Sequence, residues 1–171
     1  GVDLERFDRV RHIKGAVPPE LQSLSRPVVG YLGGIHQWLD QALLASVAKR
    51  HPEWSFVLVG PIQTDASALI QLPNVYAMGA RGPDEVPSYL RAFDVAVLPY
   101  RLAEYTHHVY PAKLNEYLAM GLGVVATPLA EIERFNQIHG NIVQLGADAE
   151  AFGRAIMSVL GNDGRAQIDR R

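Results

Sequence analysis

Cysteine is absent from the 171 residues, which excludes disulfides, thiolate metal sites and cysteine nucleophiles. Long apolar runs are lacking too, so no stretch is expected to cross a bilayer as a helix, and none reads as a secretory leader. Nor does one sign of charge dominate. Sixteen Lys and Arg stand against 18 Asp and Glu, and the net charge of -2 leaves no global positive field for nucleic acid or an anionic membrane. Any phosphate has to be bound locally. Internal repeats and low-complexity tracts are also missing. What is present is ordinary for a globular chain: 48% apolar and 20% charged residues, in a length that suits one core rather than two.

Residues 1–27 mix charge, proline and glycine without sustained periodicity and read as an irregular interdomain linker. From Val28 the pattern changes to short aliphatic runs alternating with helical periodicity, the signature of a βαβ series. Six strands are expected, at VVGYL (28–32), SFVLVG (55–60), VYAMG (75–79), VAVLP (95–99), GVVAT (123–127) and IVQL (142–145). A helix after Gly33 and Gly34 carries Leu39, Leu43 and Val47 inward. A second, opened by Pro83, has Val86, Tyr89, Leu90 and Phe93 as its stripe. A third starts at Pro111, carries Leu114 and Leu118, and closes at Gly121. A fourth runs from Asp148, a capping residue, through Phe152, Ile156 and Leu160 to Gly161. The expected architecture is α/β: a Rossmann-like, doubly wound, mainly parallel six-stranded sheet with helices on both faces over residues 28–161, followed by a frayed tail at 162–171.

In such a sheet ligands bind outside the carboxyl ends of the strands, where strand order reverses. After the first strand, Gly33 and Gly34 let backbone N–H groups approach a phosphate ahead of a helix; lacking a full G-x-G-x-x-G or Walker pattern, the pair serves equally as a plain turn. His36 is either a donor to phosphate or hydroxyl, or a solvated loop residue. In the helix opened by Pro111, Lys113 sits in the first turn, where a cation opposes the dipole at a cost of roughly 0.3–1 kcal/mol. A diphosphate facing both the lysine and the helix terminus offsets that cost. Glu116 lies on the same face one turn deeper and can accept two hydrogen bonds from a vicinal diol such as a ribose. The same spacing equally makes a surface ion pair, and spacing alone does not separate the two.

The run P-A-K-L-N-E-Y-L-A-M-G followed by GVVAT resembles the donor-site helix and strand of GT-B-fold, retaining-type glycosyltransferases of the large group-1, family-4-like class. GVDLERF resembles the linker by which these enzymes enter their C-terminal domain. GYLGGIHQWLD, FVLVGP and NVYAMGARGPDEVPSYLRAFDVAVLPYR follow in the expected order, so the likeness extends to about Leu160. It implies that Glu116, as the second glutamate of an E-x7-E motif, binds the nucleotide ribose and that Lys113 holds the diphosphate. It also implies that the loop Met78, Gly79, Ala80 and Arg81 borders the base. His108 stands where the motif's first glutamate usually meets the transferred sugar, and can donate to a sugar hydroxyl or leaving phosphate, or be solvated beside His107. The first loop lacks the basic residue of many relatives, which leaves backbone N–H groups, Lys113 and Arg101 for the diphosphate; Arg101 also reads as a solvated strand-end residue. Gly123 replaces a common proline.

The resemblance further implies a transfer in which a nucleoside diphosphate leaves the anomeric carbon, with Lys113 and His108 as catalytic candidates, and with no metal and no cofactor, the nucleotide sugar being a substrate. The expected partners are that donor, a missing N-terminal acceptor domain, and a glycan or lipid-linked acceptor in polysaccharide synthesis. The expected location is cytoplasmic, or peripheral at the inner membrane through the missing half. Two rivals share the pattern: a sugar-nucleotide epimerase of similar fold, and a non-catalytic nucleotide-binding or interaction module.

Overall fold

The computed structural model describes residues 17–161 together with Glu5. Strands β1 (Val28–Leu32), β2 (Ser55–Val59), β3 (Val75–Gly79), β4 (Val95–Leu98), β5 (Val124–Ala126) and β6 (Val143–Leu145) form one all-parallel sheet in the order β3-β2-β1-β4-β5-β6. Around it lie α1 (Pro19–Gln22), α2 (Gln41–Arg50), α3 (Ser67–Ile70), α4 (Val86–Arg91), α5 (Glu104–His107), α6 (Lys113–Ala119), α7 (Ala130–His139) and α8 (Ala149–Gly161). The fold is the Rossmann-like α/β arrangement that the alternation of elements implied.

Strands β1, β2, β4 and β5 are buried along their whole length, because helices cover both faces of the sheet. Successive side chains point to opposite faces and sort into two cores. Val28, Leu32, Val57 and Ala96 pack with Leu90, Phe93, Leu114 and Tyr117 on one side. On the other, Val29, Tyr31, Phe56 and Val97 pack with Leu44, Val47, Phe152 and Ile156. Gly30 is the thin point of β1: a Cβ there would lie 2.1 Å from the Phe93 ring, so its absence lets the end of α4 rest on the strand.

Several elements differ in detail from the sequence expectation. The helix expected directly after Gly33 and Gly34 begins only at Gln41, where the Asp40 carboxylate caps it by accepting Leu43 N–H at 3.0 Å. Leu39 is buried in the loop, paired with Tyr100 in an isolated bridge rather than in the helical stripe. Pro83 occupies a turn, and regular helix starts at Val86. Tyr117, not Leu118, is the fully buried partner of Leu114 on α6, and Gly121 closes that helix with φ 71°. Asp148 caps α8 as expected, accepting Ala151 N–H at 2.8 Å. Helix α7 was not anticipated, although the parallel β5–β6 pair requires a crossover. Within the region read as irregular, α1 buries Leu21 in the core, and Arg26 bonds Asp94 at 2.8 Å. The GVDLERF motif apart from Glu5 and the tail at 162–171 lie outside the described residues. Among the described residues no helix is long and apolar enough to cross a membrane.

Candidate functional site

Strand order reverses between β1 and β4, and the two strands part there. β1 pairs with β2 through five residue partners but with β4 through only Val29–Val95 and Gly30–Ala96. Tyr117 of α6 enters the gap: its buried hydroxyl accepts Leu32 N–H at 2.8 Å and lies 3.4 Å from Val97 O. Burial pushes this phenol well above its ordinary pKa, so it stays neutral. The contact ties α6 to the crevice at the carboxyl ends of the strands, where such folds bind ligands.

The loops over the crevice are knit together. Asp40 N–H donates to Pro99 O and Arg101 N–H to Trp38 O, each at 2.8 Å. Thr127 accepts Tyr100 N–H on Oγ1 at 3.1 Å, and its hydroxyl donates to Tyr100 O at 2.7 Å. Buried Thr106 holds the next turn, donating to Arg101 O at 2.5 Å and accepting Ala103 N–H at 2.9 Å. These bonds join the loops after β1 and β4 into one wall.

Between that wall and the turn leading into α6 lies a cavity of about 340 Å³. Tyr31 and Tyr100 line it with their rings edge to face at 6.5 Å, and burial raises both phenol pKa values. The Tyr31 hydroxyl donates to Gly34 O at 2.9 Å. His36 stacks on Tyr100 at 6.0 Å and accepts Trp38 N–H on Nδ1 at 3.1 Å, which leaves Nε2 as its donor in the neutral ring. Trp38 stacks on Tyr105 at 4.5 Å. Val109, Tyr110, Pro111, Ala112, Lys113 and Leu129 complete the lining.

Of the residues singled out in the sequence, the cavity gathers Gly33, Gly34, His36, Pro111 and Lys113. Glu116 is joined to it through Lys113, Nζ to Oε1 being 3.0 Å with side chains 37% and 21% exposed. The ion pair left open by the spacing is therefore formed, and it is formed at the edge of the crevice. Glu116, in the first turn of α6, also offsets the unfavourable placement of Lys113 at the helix start. Pro111 lies two residues ahead of α6, its carbonyl accepting Leu114 N–H at 2.9 Å.

Other expectations need correction. Gly33 N–H is not free for a phosphate: it donates to Val59 O at 2.9 Å, and Ile35 N–H donates to Pro61 O at 2.8 Å. Only Gly34 N–H among these three lacks an acceptor within the described residues. No helix terminus stands behind the glycines, since α2 starts at Gln41. The glycines are required for packing: a Cβ on Gly33 would lie 2.7 Å from the Tyr31 hydroxyl, and one on Gly60 would lie 1.9 Å from Gly33 O.

His108 follows α5, is exposed and tilts against His107 at 5.0 Å, outside the cavity lining. Arg101 is exposed, does not line the cavity, and its guanidinium has no partner among the described residues. Met78, Gly79, Ala80 and Arg81 lie at the end of β3, two strands from β1, a separation of about 10 Å across a sheet. The Arg81 side chain does not line the cavity; it bonds Tyr89 through Nε at 2.5 Å and pairs with Glu20 at 3.7 Å. The hydrogen bond from Tyr89, with Arg81 beside it, holds the Glu20 carboxyl below its usual pKa. Among the described residues no group of three or more His, Asp or Glu is placed to hold a metal ion.

Sequence reasoning assigned no role to Tyr31, Trp38, Tyr100, Tyr105 or Tyr117. The available signal was Trp38, an aromatic beside Gln37 and Asp40 that no helical stripe uses.

A doubly wound domain whose switch-point crevice is covered by one short helix bearing Lys113 and Glu116 is the architecture of half a GT-B protein. The chain belongs to the glycosyl transferases group 1 family, whose model matches residues 26–162. It is 34% identical over 148 residues to TuaH of Bacillus subtilis, named as a teichuronic acid biosynthesis glycosyltransferase; the match takes in 84% of this chain and 37% of that protein. A glycosyltransferase structure from Rickettsia africae superposes with a TM-score of 0.66 at 18% identity, over 99% of this chain and 48% of that one. A UDP-GlcNAc 2-epimerase from Neisseria meningitidis, bound to UDP-GlcNAc, reaches 0.55 at 13% identity, over 88% of this chain and 40% of that one. The two structures show the fold alone. The chain spans less than half the length of each of these proteins, consistent with the C-terminal half of a GT-B fold.

Proposed function

We propose that the chain is the donor-binding half of a glycosyltransferase and holds a nucleoside-diphosphate sugar for transfer to a glycan or lipid-linked acceptor carried by an N-terminal domain. The observation that carries this reading is that Lys113 lines the switch-point cavity while its ion-pair partner Glu116 sits three residues on along the same helix. Lys113 Nζ and the Gly34 N–H, which has no acceptor among the described residues, would hold the diphosphate, Glu116 the ribose, and the β3 loop from Met78 to Arg81 would border the base. When the bond from the anomeric carbon to the β-phosphate oxygen breaks, the electron pair leaves with the nucleoside diphosphate. Lys113 stabilises that charge, and the acceptor oxygen takes the vacated position and gives its proton to the departing phosphate oxygen. Residues 1–27 would join the two halves, with α1 docked on this one, and the likeness to TuaH supports a role in polysaccharide or glycoconjugate synthesis. Any membrane association would come through the other half.

The epimerase reading shares the fold but calls for acid–base side chains around the sugar, whereas the cavity lining contains His36 and no carboxylate. A pure interaction module has no use for an ammonium group in a cavity. Calorimetry with UDP, GDP and ADP tests the assignment. One of them is expected to bind, and Lys113→Ala and Glu116→Ala each to weaken it by about 1–3 kcal/mol. Inorganic pyrophosphate separates the two roles, because Glu116→Ala is expected to weaken it less than it weakens the nucleotide, while Lys113→Ala weakens both alike. Equal nucleotide affinity in all three proteins refutes the site.

A further inference from the structure

We infer that the stacked pair Trp38 and Tyr105 is the platform against which the donor's transferred sugar ring packs, and so the determinant of sugar specificity. The inference rests on the donor site proposed above and adds a direction to it. Lys113 lines the cavity; Glu116 and the β3 loop do not. A ligand with its diphosphate on Lys113 and its ribose on Glu116 therefore runs its nucleoside away from the cavity, and the group on the other phosphate enters it.

The walls it meets there are aromatic. Trp38 and Tyr105 stack at 4.5 Å with planes 22° apart, and Tyr105 remains 57% exposed, so its ring is backed by the indole and open to a ligand. A pyranose offers the matching surface: one face of C–H bonds, with hydroxyls around the rim. Flat side chains with two torsions supply such contact at low entropic cost. The platform is also held in place, because the hydroxyl of neighbouring Thr106 is bonded to Arg101 O, and Trp38 O accepts Arg101 N–H. His108 lies outside the lining, and the lining contains no carboxylate, so ring stacking carries recognition that hydrogen bonds to acidic side chains do not.

Trp38 and Trp54 are the two tryptophans, and Trp54 is buried, so Trp54→Phe leaves Trp38 as the sole indole reporter. The test titrates the chain with UDP, GDP and ADP and with UDP-glucose, GDP-mannose and ADP-glucose, by calorimetry and by Trp38 emission. A sugar nucleotide is expected to bind and to change Trp38 emission more than its own nucleoside diphosphate does. Tyr105→Ala, at an exposed position, is expected to weaken that sugar nucleotide about five- to tenfold while shifting the nucleoside diphosphate less than about twofold, and Tyr105→Phe is expected to restore it. Equal weakening of both ligands, or no effect on either, overturns the platform and leaves the donor site standing. Failure of every nucleotide and sugar nucleotide to bind the unmodified chain overturns both.

Discussion

Tyr117→Phe removes one oxygen atom from the seam between β1 and β4. The hydroxyl accepts Leu32 N–H at 2.8 Å inside the core, where no water replaces it, so the substitution leaves a buried donor without an acceptor. That penalty is about 1–3 kcal/mol. The 3.4 Å approach to Val97 O is too long to add to it, and the phenyl ring left behind keeps its packing against Leu114 and its neighbours. Urea unfolding followed by circular dichroism is expected to show a lower midpoint with an unchanged slope. In a thermal scan the midpoint falls by about 2–4 °C for each kcal/mol lost. Tyr76→Phe, at a half-buried tyrosine of the edge strand β3, is the control and is expected to change stability by less than about 0.5 kcal/mol. Should Tyr117→Phe be as mild as the control, Leu32 N–H has another acceptor and the phenol is not what closes the gap.

Alkali supplies a second perturbation. Burial raises the folded-state pKa of Tyr31, Tyr100 and Tyr117 above the ordinary value, so the folded chain keeps protons that the unfolded chain loses. Stability is then full below about pH 10 and falls above it, by up to about 1.4 kcal/mol per pH unit for each tyrosine and about 4 for the three together. Urea midpoints at stepped alkaline pH read the slope, which Tyr31→Phe is expected to reduce by about one third; a flat profile contradicts the burial argument. Gly60→Ala places a methyl group 1.9 Å from Gly33 O at φ 151° and is expected to cost about 2–3 kcal/mol. It is also expected to weaken nucleotide binding by displacing Gly34 N–H; wild-type stability by urea titration would show that the two turns do not meet as described.

The sheet was legible because its strands are apolar throughout, a pattern that parallel sheets buried on both faces impose and that survives in Val28–Leu32, Ser55–Val59 and Val95–Leu98. Helix α7 was not legible, because its inward face is thin. Ile132 and Asn136 are its buried residues, and Ile138 points outward at 67% exposure. Its stop signal was present in Gly140, which adopts φ 84°, and in Asn136, whose side chain bonds both Val143 O and Val143 N. In the sequence the glycine pair serves equally as a phosphate turn or a plain turn, and part of its cause is steric, since the loops after β1 and β2 touch backbone to backbone at Gly33 and Gly60. A contact between residues 27 positions apart leaves no periodic trace. The same holds for Trp38 and Tyr105, and for Tyr117 and Leu32.

The Lys113–Glu116 pair shows how far a local rule reaches. On spacing alone, an ion pair and a ligand site are competing explanations of the same two residues, and the structure makes them compatible. An ammonium group has three donors, and the 3.0 Å bond to Oε1 uses one, so Lys113 can meet a diphosphate without leaving Glu116. The carboxylate keeps its second oxygen for a diol. In the free chain the pair cancels the charge that would otherwise oppose the start of α6, which makes the lysine tolerable there before any ligand arrives. A lysine held in this way is also already oriented, so less side-chain entropy is lost when an anion binds. On the proposed reading the ion pair keeps the lysine ready for the ligand, and the two roles are separated by removing Glu116 and asking whether pyrophosphate and nucleotide respond alike.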